Sequence, residues 1–408
     1  MSNWQQLRLK ADSASVLFAV GEIVKVEAMH KTTDIYGPIP YTRFGLQTPV
    51  PYDSQEAVYM RFFAELNHAI GVLSSFDRLN PNAKPLDKFD LIYGSDLKKW
   101  IRFANSLKLR LAMRCRAVYD GAQKLAEEAV NNPYGVLEDN ADNAVMQTVG
   151  ALSFTYNNPF YNIYSPEGYN EDRMGATMDA YLNGFADPRL PKFFAKAKGD
   201  VYRGLRNGLR NGKDFQGDER LSMPTITRST PYVWMTAAEV WLLRAEGALF
   251  GWNMGGTPRE LYEQGITTSL DQYGLASAAE AYLTSTAKPS AYPGLGTSTA
   301  AEAPSDITPA WDEDATKEKK LERIITQKWI AIYPLGQEAW SEFRRTGYPK
   351  LFPVVDNLSN GKVNTNVQVR RVPFPASEYV GNRAEVEKAV QLLGGEDTGG
   401  TRLWWDKQ

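Results

Sequence analysis

Apolar residues recur three and four positions apart along much of the chain, the spacing of amphipathic helices rather than strands. From Val16 to His30, the positions Leu17, Val20, Val24 and Ala28 fall on one helical face. Asp53 followed by Glu56 marks a helix start, after which Val58, Phe62, Leu66, Ala69 and Leu73 line one side. Between Asp96 and Tyr119 the stripe is Ile101, Ala104, Leu107, Leu111, Cys115 and Val118, with Arg102, Lys108, Arg110 and Arg114 expected mostly on the solvated side. A short helix from Gln123 to Asn131 completes that pair. Ala238, Leu242, Ala245 and Leu249 form the next stripe, and Thr257-Pro258-Arg259-Glu260 opens its partner, with Thr as N-cap, Pro in the first turn and Glu reaching back. Leu321, Ile325, Trp329 and Ile332 line a further helix, followed by a short one from Gln337 to Arg345. There Glu342 and Arg345 stand three apart, a pair worth only a few tenths of a kcal/mol on an open helix face. Gly347 can end that helix in a left-handed turn, with Pro349 blocking its continuation.

Four helix pairs of this kind predict a mainly α fold of stacked helical hairpins, in the manner of tetratricopeptide repeats without a strict period, because one hairpin cannot bury its own apolar face. Two stretches break the pattern. Residues 133–236 are rich in Asn, Gly, Pro and aromatic residues, and residues 276–309 in Ala, Ser, Thr and Pro. Long inserts of this sort are functional or disordered, and the first is too aromatic for disorder. It is expected to be an ordered binding or docking region, and any strands should be short and confined to the inserts.

Composition narrows the function classes. Lys and Arg number 46 against 48 Asp and Glu, which lacks the basic footprint of a nucleic-acid binder. With one cysteine, Cys115, and two histidines, His30 and His68, neither an internal disulfide nor a Cys/His zinc site can be assembled. Both histidines lie in helical patterns and read as structural, so no catalytic triad, metal or cofactor site is expected. No run approaches the roughly 20 apolar residues of a membrane-spanning helix. The aromatic load of 10 Trp, 21 Tyr and 17 Phe serves core packing first, but flat apolar faces are also what stack on sugar rings.

Four stretches together resemble the SusD/RagB family: TDIYGPIPY at Thr33–Tyr41, KWIRFANSLKLRLAMRCR at Lys99–Arg116, the pair WLLRAEGALFGW at Trp241–Trp252 and QKWIAIYPLGQEAWSEFRRTGYP at Gln327–Pro349, and the ending RRVPFPASEYVGN with DTGGTRLWWDK at Arg370–Asn382 and Asp397–Lys407. These motifs read as architectural. Arg370, Arg371 and Arg402 lack a Gly-rich phosphate loop and are expected in buried ion pairs or tail anchoring, and Trp404-Trp405 should pin the tail. The resemblance implies one SusD-like domain over residues 1–408, with a helical superhelix and long inserts. It also implies a non-catalytic, lipid-anchored protein on the outer face of the outer membrane. Such a protein captures an oligosaccharide or peptide and hands it to a SusC-like TonB-dependent channel. The chain starts almost at the first repeat helix, so the family's signal and acylated cysteine are expected to lie outside it, along with part of the ligand surface.

Within the first insert, Tyr156, Phe160, Tyr161, Tyr164 and Tyr169 lack helical periodicity and alternate with Asn157, Asn158 and Arg173. Aromatic platforms beside amide and guanidinium donors suit a sugar, whose C–H faces are ringed by hydroxyls. The other reading of the same stretch is a Tyr-rich packing loop. Two rival functions remain at this level. A helical-repeat scaffold for protein partners is one, and a glycoside hydrolase the other, although no particular carboxylate pair is marked and no strand–helix alternation suggests a barrel.

Overall fold

The computed structural model describes residues 2–148 and 157–407. The expected helical pattern is present in it. In chain order the helices are α1 (Ser2–Lys10), α2 (Val16–Tyr36), α3 (Gln55–Leu79), α4 (Leu97–Arg114), α5 (Ala122–Val130), α6 (Tyr161–Tyr164), α7 (Ala176–Gly184), α8 (Leu190–Phe193), α9 (Ala237–Leu249), α10 (Pro258–Asp271), α11 (Ala279–Leu283), α12 (Lys317–Ala331), α13 (Gly336–Thr346), α14 (Ala376–Gly381) and α15 (Arg383–Leu393). Among the described residues the strands are β1 (Ala144–Met146) and β2 (Tyr232–Met235), an antiparallel pair inside the first insert, with Ala144 opposite Met235.

Local chemistry sets the helix starts. Ser15, Ser54, Asp96, Thr236 and Thr316 each accept a hydrogen bond from the backbone N–H three residues on, satisfying a donor that the first turn leaves free. Thr257 and Glu260 form the expected reciprocal capping box. Gly347 follows α13 at φ +73°, the left-handed conformation expected there.

The chain groups into two compact units. The first comprises Met1–Leu137, Gln337–Thr346 and Ser359–Gln408, and the second Glu138–Gly336 and Gly347–Leu358. In the first, α2 packs on α3, α3 on α4 and α4 on α5. In the second, α9 packs against both α10 and α12. The two low-helix stretches meet in one apolar cluster, in which Ala176, Ala180, Phe215 and Leu221 join Tyr292, Leu295 and Phe352. The inserts therefore build core of their own.

Charge is where the first unit departs from expectation. Lys108, Arg110 and Arg114 are buried rather than solvated. Arg110 Nη1 stands 3.4 Å from Glu27 Oε2, Lys108 Nζ donates to Asn67 Oδ1 at 2.8 Å, and Arg114 reaches Asp34 at 3.5 Å, Glu342 at 3.2 Å and Glu338. The Glu342–Arg345 pair is likewise buried, at 2.5 Å, not open. On α2 the apolar stripe was misplaced: Leu17 is 51% exposed and Val24 also faces outward, while Ala19, Ile23 and Val26 are buried beside Glu22, Glu27, His30 and Asp34. Periodicity cannot distinguish a charged face in water from one closed over by opposite charges. Cys115 is the C-cap of α4 rather than a mid-helix residue, and burial pushes its thiol up to about 12.

Asp34 is the hub of this seam. Its Oδ1 accepts from Tyr59 Oη at 2.6 Å and from Trp405 Nε1 at 2.9 Å, so Trp405 does pin the tail. Arg370 grips Asp406 through Nε at 2.6 Å and Nη2 at 2.5 Å, Arg402 adds a bond at 2.8 Å, and Arg371 pairs with Asp397. The second unit has a smaller counterpart. Fully buried Arg189 meets Asp187 at 2.7 Å and also bonds Ser269 of α10 and Gln327 of α12.

Removing one member of a buried ion cluster strands the others. Arg114→Ala should therefore cost about 3–5 kcal/mol in denaturant unfolding, while an exposed cation such as Lys124→Ala should change little. His30 sits between Glu27 (Nε2 to Oε2 3.2 Å) and Asp34 (Nδ1 to Oδ2 3.8 Å). Burial works to lower its pKa and Arg110 assists, but the Asp34 and Glu27 carboxylates outweigh both and the net shift is upward. Burial likewise works to raise Glu27, and Lys31, His30 and Arg110 overcome it, holding that carboxyl at about 2. The stabilisation from protonated His30 is complete below an unfolded pKa of about 6.5 and fades as pH rises through the raised folded value, whereas that of Glu27 is complete above about 4.5 and fades on acidification. Melting curves should show a decline in Tm from about pH 6 to pH 9 that His30→Asn flattens; an identical slope in the variant would remove His30 from this role.

Candidate ligand-binding site

The loop after residue 157 is built by its own short-range bonds. Asn158 is buried and donates Nδ2 to the Thr230 carbonyl at 3.1 Å, accepts the Phe160 N–H on Oδ1 at 3.0 Å and donates its backbone N–H to the Arg228 carbonyl. Phe160 packs on Tyr232 of β2 with ring centroids 5.7 Å apart. The single turn α6 sets Tyr161 edge-on to Tyr164 at 6.0 Å. Tyr169 N–H then returns to the Asn162 carbonyl at 2.9 Å and Glu171 N–H to that of Ile163 at 3.1 Å. At Gly168 a Cβ would stand 2.0 Å from the Asn162 carbonyl oxygen, so only glycine closes this loop.

These bonds sort the eight expected site residues. Tyr156 lies outside the described residues. Asn158 and Tyr164 are buried in the framework, and burial, with repulsion from Tyr161, pushes the Tyr164 hydroxyl up to about 12. Phe160 and Tyr161 are half-buried, the latter with the Arg228 guanidinium 5.2 Å over its ring. Asn157 is half-buried too, and its Oδ1 has no hydrogen-bond partner among the described residues. Tyr169 turns its ring outward and is 68% exposed. Arg173 is half-buried and lines a cavity.

That cavity, about 350 Å³, opens between three backbone segments. Leu205 donates its N–H to the Met174 carbonyl at 2.9 Å and accepts the Ala176 N–H at 2.8 Å, while Met174 N–H bonds Ser222 and Ser222 N–H bonds Arg203. This lacing holds Arg173 and Arg206 on adjacent strands of chain. Met174, Leu205, Phe215 and Leu221 form an apolar floor, three of them continuous with the core cluster of the second unit. Arg173 donates Nη2 to Asn170 Oδ1 at 2.7 Å and Nη1 to the Asp172 carbonyl at 2.8 Å. Gln216, another lining residue, donates Nε2 to the Tyr169 carbonyl at 3.2 Å, which ties the cavity to the exposed ring. The site thus combines one outward ring, side-chain amides and guanidinium donors over an apolar base, an arrangement suited to a polar ligand with apolar faces. Arg206, Lys213, Phe215 and Gln216 were not anticipated.

A profile of the SusD-like family, described as Susd and RagB outer membrane lipoprotein, matches residues 1–406. The chain belongs to the SusD/RagB family. Among solved structures, this SusD-like chain is similar to a chitin-binding SusD homologue from Flavobacterium johnsoniae, with 42% identity and a TM-score of 0.93 over 100% of this chain and 84% of that one. A SusD homologue from Bacteroides uniformis matches at 42% identity and TM-score 0.90, over 96% of this chain and 82% of that one. One from Bacteroides thetaiotaomicron matches at 40% and 0.90, over 99% and 84%. No curated protein matches the chain. Among its described residues no helix is long and apolar enough to cross a membrane.

The two tyrosines of opposite exposure should respond differently. Tyr164→Ala is expected to lower Tm by several degrees, as deletion of a buried ring does, while Tyr169→Ala should leave Tm within about a degree; equal losses would assign both rings to the core.

Proposed function

We propose that this SusD-like chain is a non-catalytic glycan-binding protein of the cell surface. In its full-length form a lipid anchors it to the outer face of the outer membrane, and it passes an oligosaccharide to a SusC-like TonB-dependent channel. The observation that carries this reading is the 42% identity, across the whole chain, to a chitin-binding homologue. The cavity of the second unit supports it chemically. Tyr169, tied to the cavity through Gln216, and half-buried Tyr161 in the same loop offer faces for sugar C–H groups, and Gln216 and Arg173 in the cavity lining offer hydrogen-bonding groups for hydroxyls. Phe160 supports the platform from behind, against Tyr232. Asn158 and Tyr164 hold the loop in place.

Calorimetric titration with chitooligosaccharides, followed by a broad glycan array, should detect binding without release of reducing ends over a day. Tyr169→Ala and Tyr161→Ala should each weaken it about tenfold, the effect of losing one stacking ring of about 1–2 kcal/mol. Turnover abolished by a single carboxylate substitution would replace this reading with a hydrolase. Absence of binding across the array, with only non-membrane proteins recovered in a pull-down from solubilised outer membranes, would replace it with a scaffold.

A further inference from the structure

The cavity in the second unit holds more positive charge than a neutral sugar needs. Its cations come from Arg173 and from a tandem repeat in the sequence, Gly204-Leu205-Arg206-Asn207 followed by Gly208-Leu209-Arg210-Asn211, with Gly212-Lys213 behind it. The parallel bridge between Gly175 and Leu205 sets the first repeat beside Arg173. At Gly204 a Cβ would meet the Gly175 backbone at 2.6 Å, so glycine permits the two segments to approach this closely.

Elsewhere several buried arginines close on acids: Arg114 on Glu342 and Glu338, Arg189 on Asp187, Arg370 on Asp406, Arg371 on Asp397, whereas buried Arg344 is held by the Asp34 and Arg370 carbonyls and Ser341 Oγ. Arg173 and Arg206 do not close on acids either. Among the described residues Arg206 donates Nη1 to Thr299 and Nη2 to the Pro353 carbonyl at 2.8 Å, and Arg173 bonds Asn170 and the Asp172 carbonyl. Among the described residues, neither Nε has a hydrogen-bond partner, and neither guanidinium nor the Lys213 ammonium lies within ion-pair distance of a carboxylate. Burial holds Arg173 below the usual arginine range, against the pull of Asp218 and Asp172. Asp218 is itself engaged by Arg220 at 2.6 Å. Glu171 and Asp172 also line the cavity but are exposed, where water and salt screen them more than the half-buried guanidiniums.

Resting on the glycan-binding reading, we propose that this cavity takes an acidic substituent of the bound oligosaccharide, a carboxylate or a sulfate, held by Arg173 and Arg206 with Lys213 at its mouth. Half-buried guanidiniums held by neutral oxygens gain from a nearby anion, and a planar or tetrahedral oxyanion matches the guanidinium donors two at a time. Chitin carries no such group, so an acidic oligosaccharide should bind this cavity more tightly than chitooligosaccharides do. The source of the anion, a uronic acid or a sulfated sugar, is separable by probe.

The test uses matched pairs: oligogalacturonate against its methyl-esterified form, and a sulfated galactan oligosaccharide against its desulfated form. In at least one pair the acidic member should bind about tenfold or more tighter, and that preference should shrink as salt rises from about 50 to 500 mM. The pair that shows it names the source. Lys213→Gln, whose side chain has no ion pair, and Arg173→Gln should each reduce the preference several-fold, and Arg173→Lys should retain most of it. If Arg173→Gln does not fold, Lys213→Gln alone carries the test. Equal binding of acidic and neutral members, or a preference that both variants leave unchanged, overturns the acidic-ligand inference while leaving glycan binding intact. Failure to bind any glycan on the array overturns both.

Discussion

The first unit depends on keeping a set of carboxylates out of water beside buried cations. Asp34, Glu27, Glu338 and Glu342 are buried, and each would be costly alone; Arg110, Arg114, Arg345 and His30 offset that cost through short, directed contacts. Because these contacts reach from α2 and α4 to α13 and the C-terminal tail, they impose one register on segments more than 300 residues apart in sequence. A slip of any helix would leave a buried charge unpaired. Apolar packing alone tolerates such slips more readily.

The second unit solves a different problem. Its helices, α9 with α10 and α12, are ordinary hairpin packing, whereas its two low-helix stretches have few regular backbone ladders. They are ordered by a shared apolar cluster and by main-chain bonds across irregular segments, as at Met174, Leu205 and Ser222. Backbone groups so satisfied can carry polar side chains at fixed positions without belonging to a helix face. This is the physical basis for a ligand site on loops. Arg173, Arg206 and Tyr169 are presented by backbone that their own side chains do not have to hold together.

The same residue type therefore does two kinds of work. Arg114, Arg189, Arg370 and Arg371 are consumed by carboxylates and fix the chain. Arg173 and Arg206 are held mainly by neutral oxygen atoms, which position a guanidinium without a direct ion pair. The proposed ligand capture by the second unit rests on that difference.

The helical content, most helix starts and the family were legible in the sequence, because caps and three-to-four spacing are local and because Thr257, Glu260 and Gly347 act within a few residues of themselves. The Tyr-rich loop was legible as a loop, but not the division of labour inside it: Tyr164 and Tyr169 have similar sequence surroundings, and only the turn at Gly168 sends one ring inward and the other out. The cavity cations Arg206 and Lys213 were passed over although their tandem Gly-Leu-Arg-Asn repeat is visible in the chain, since a repeat says nothing of what it faces. The charged face of α4 was misjudged for the same reason. By itself, then, the sequence determined what is decided by neighbours along the chain: helix, cap, turn and family. The tertiary structure alone decided which charges meet a partner and which stay free, because burial and pairing depend on residues far away in sequence, and no local pattern records them.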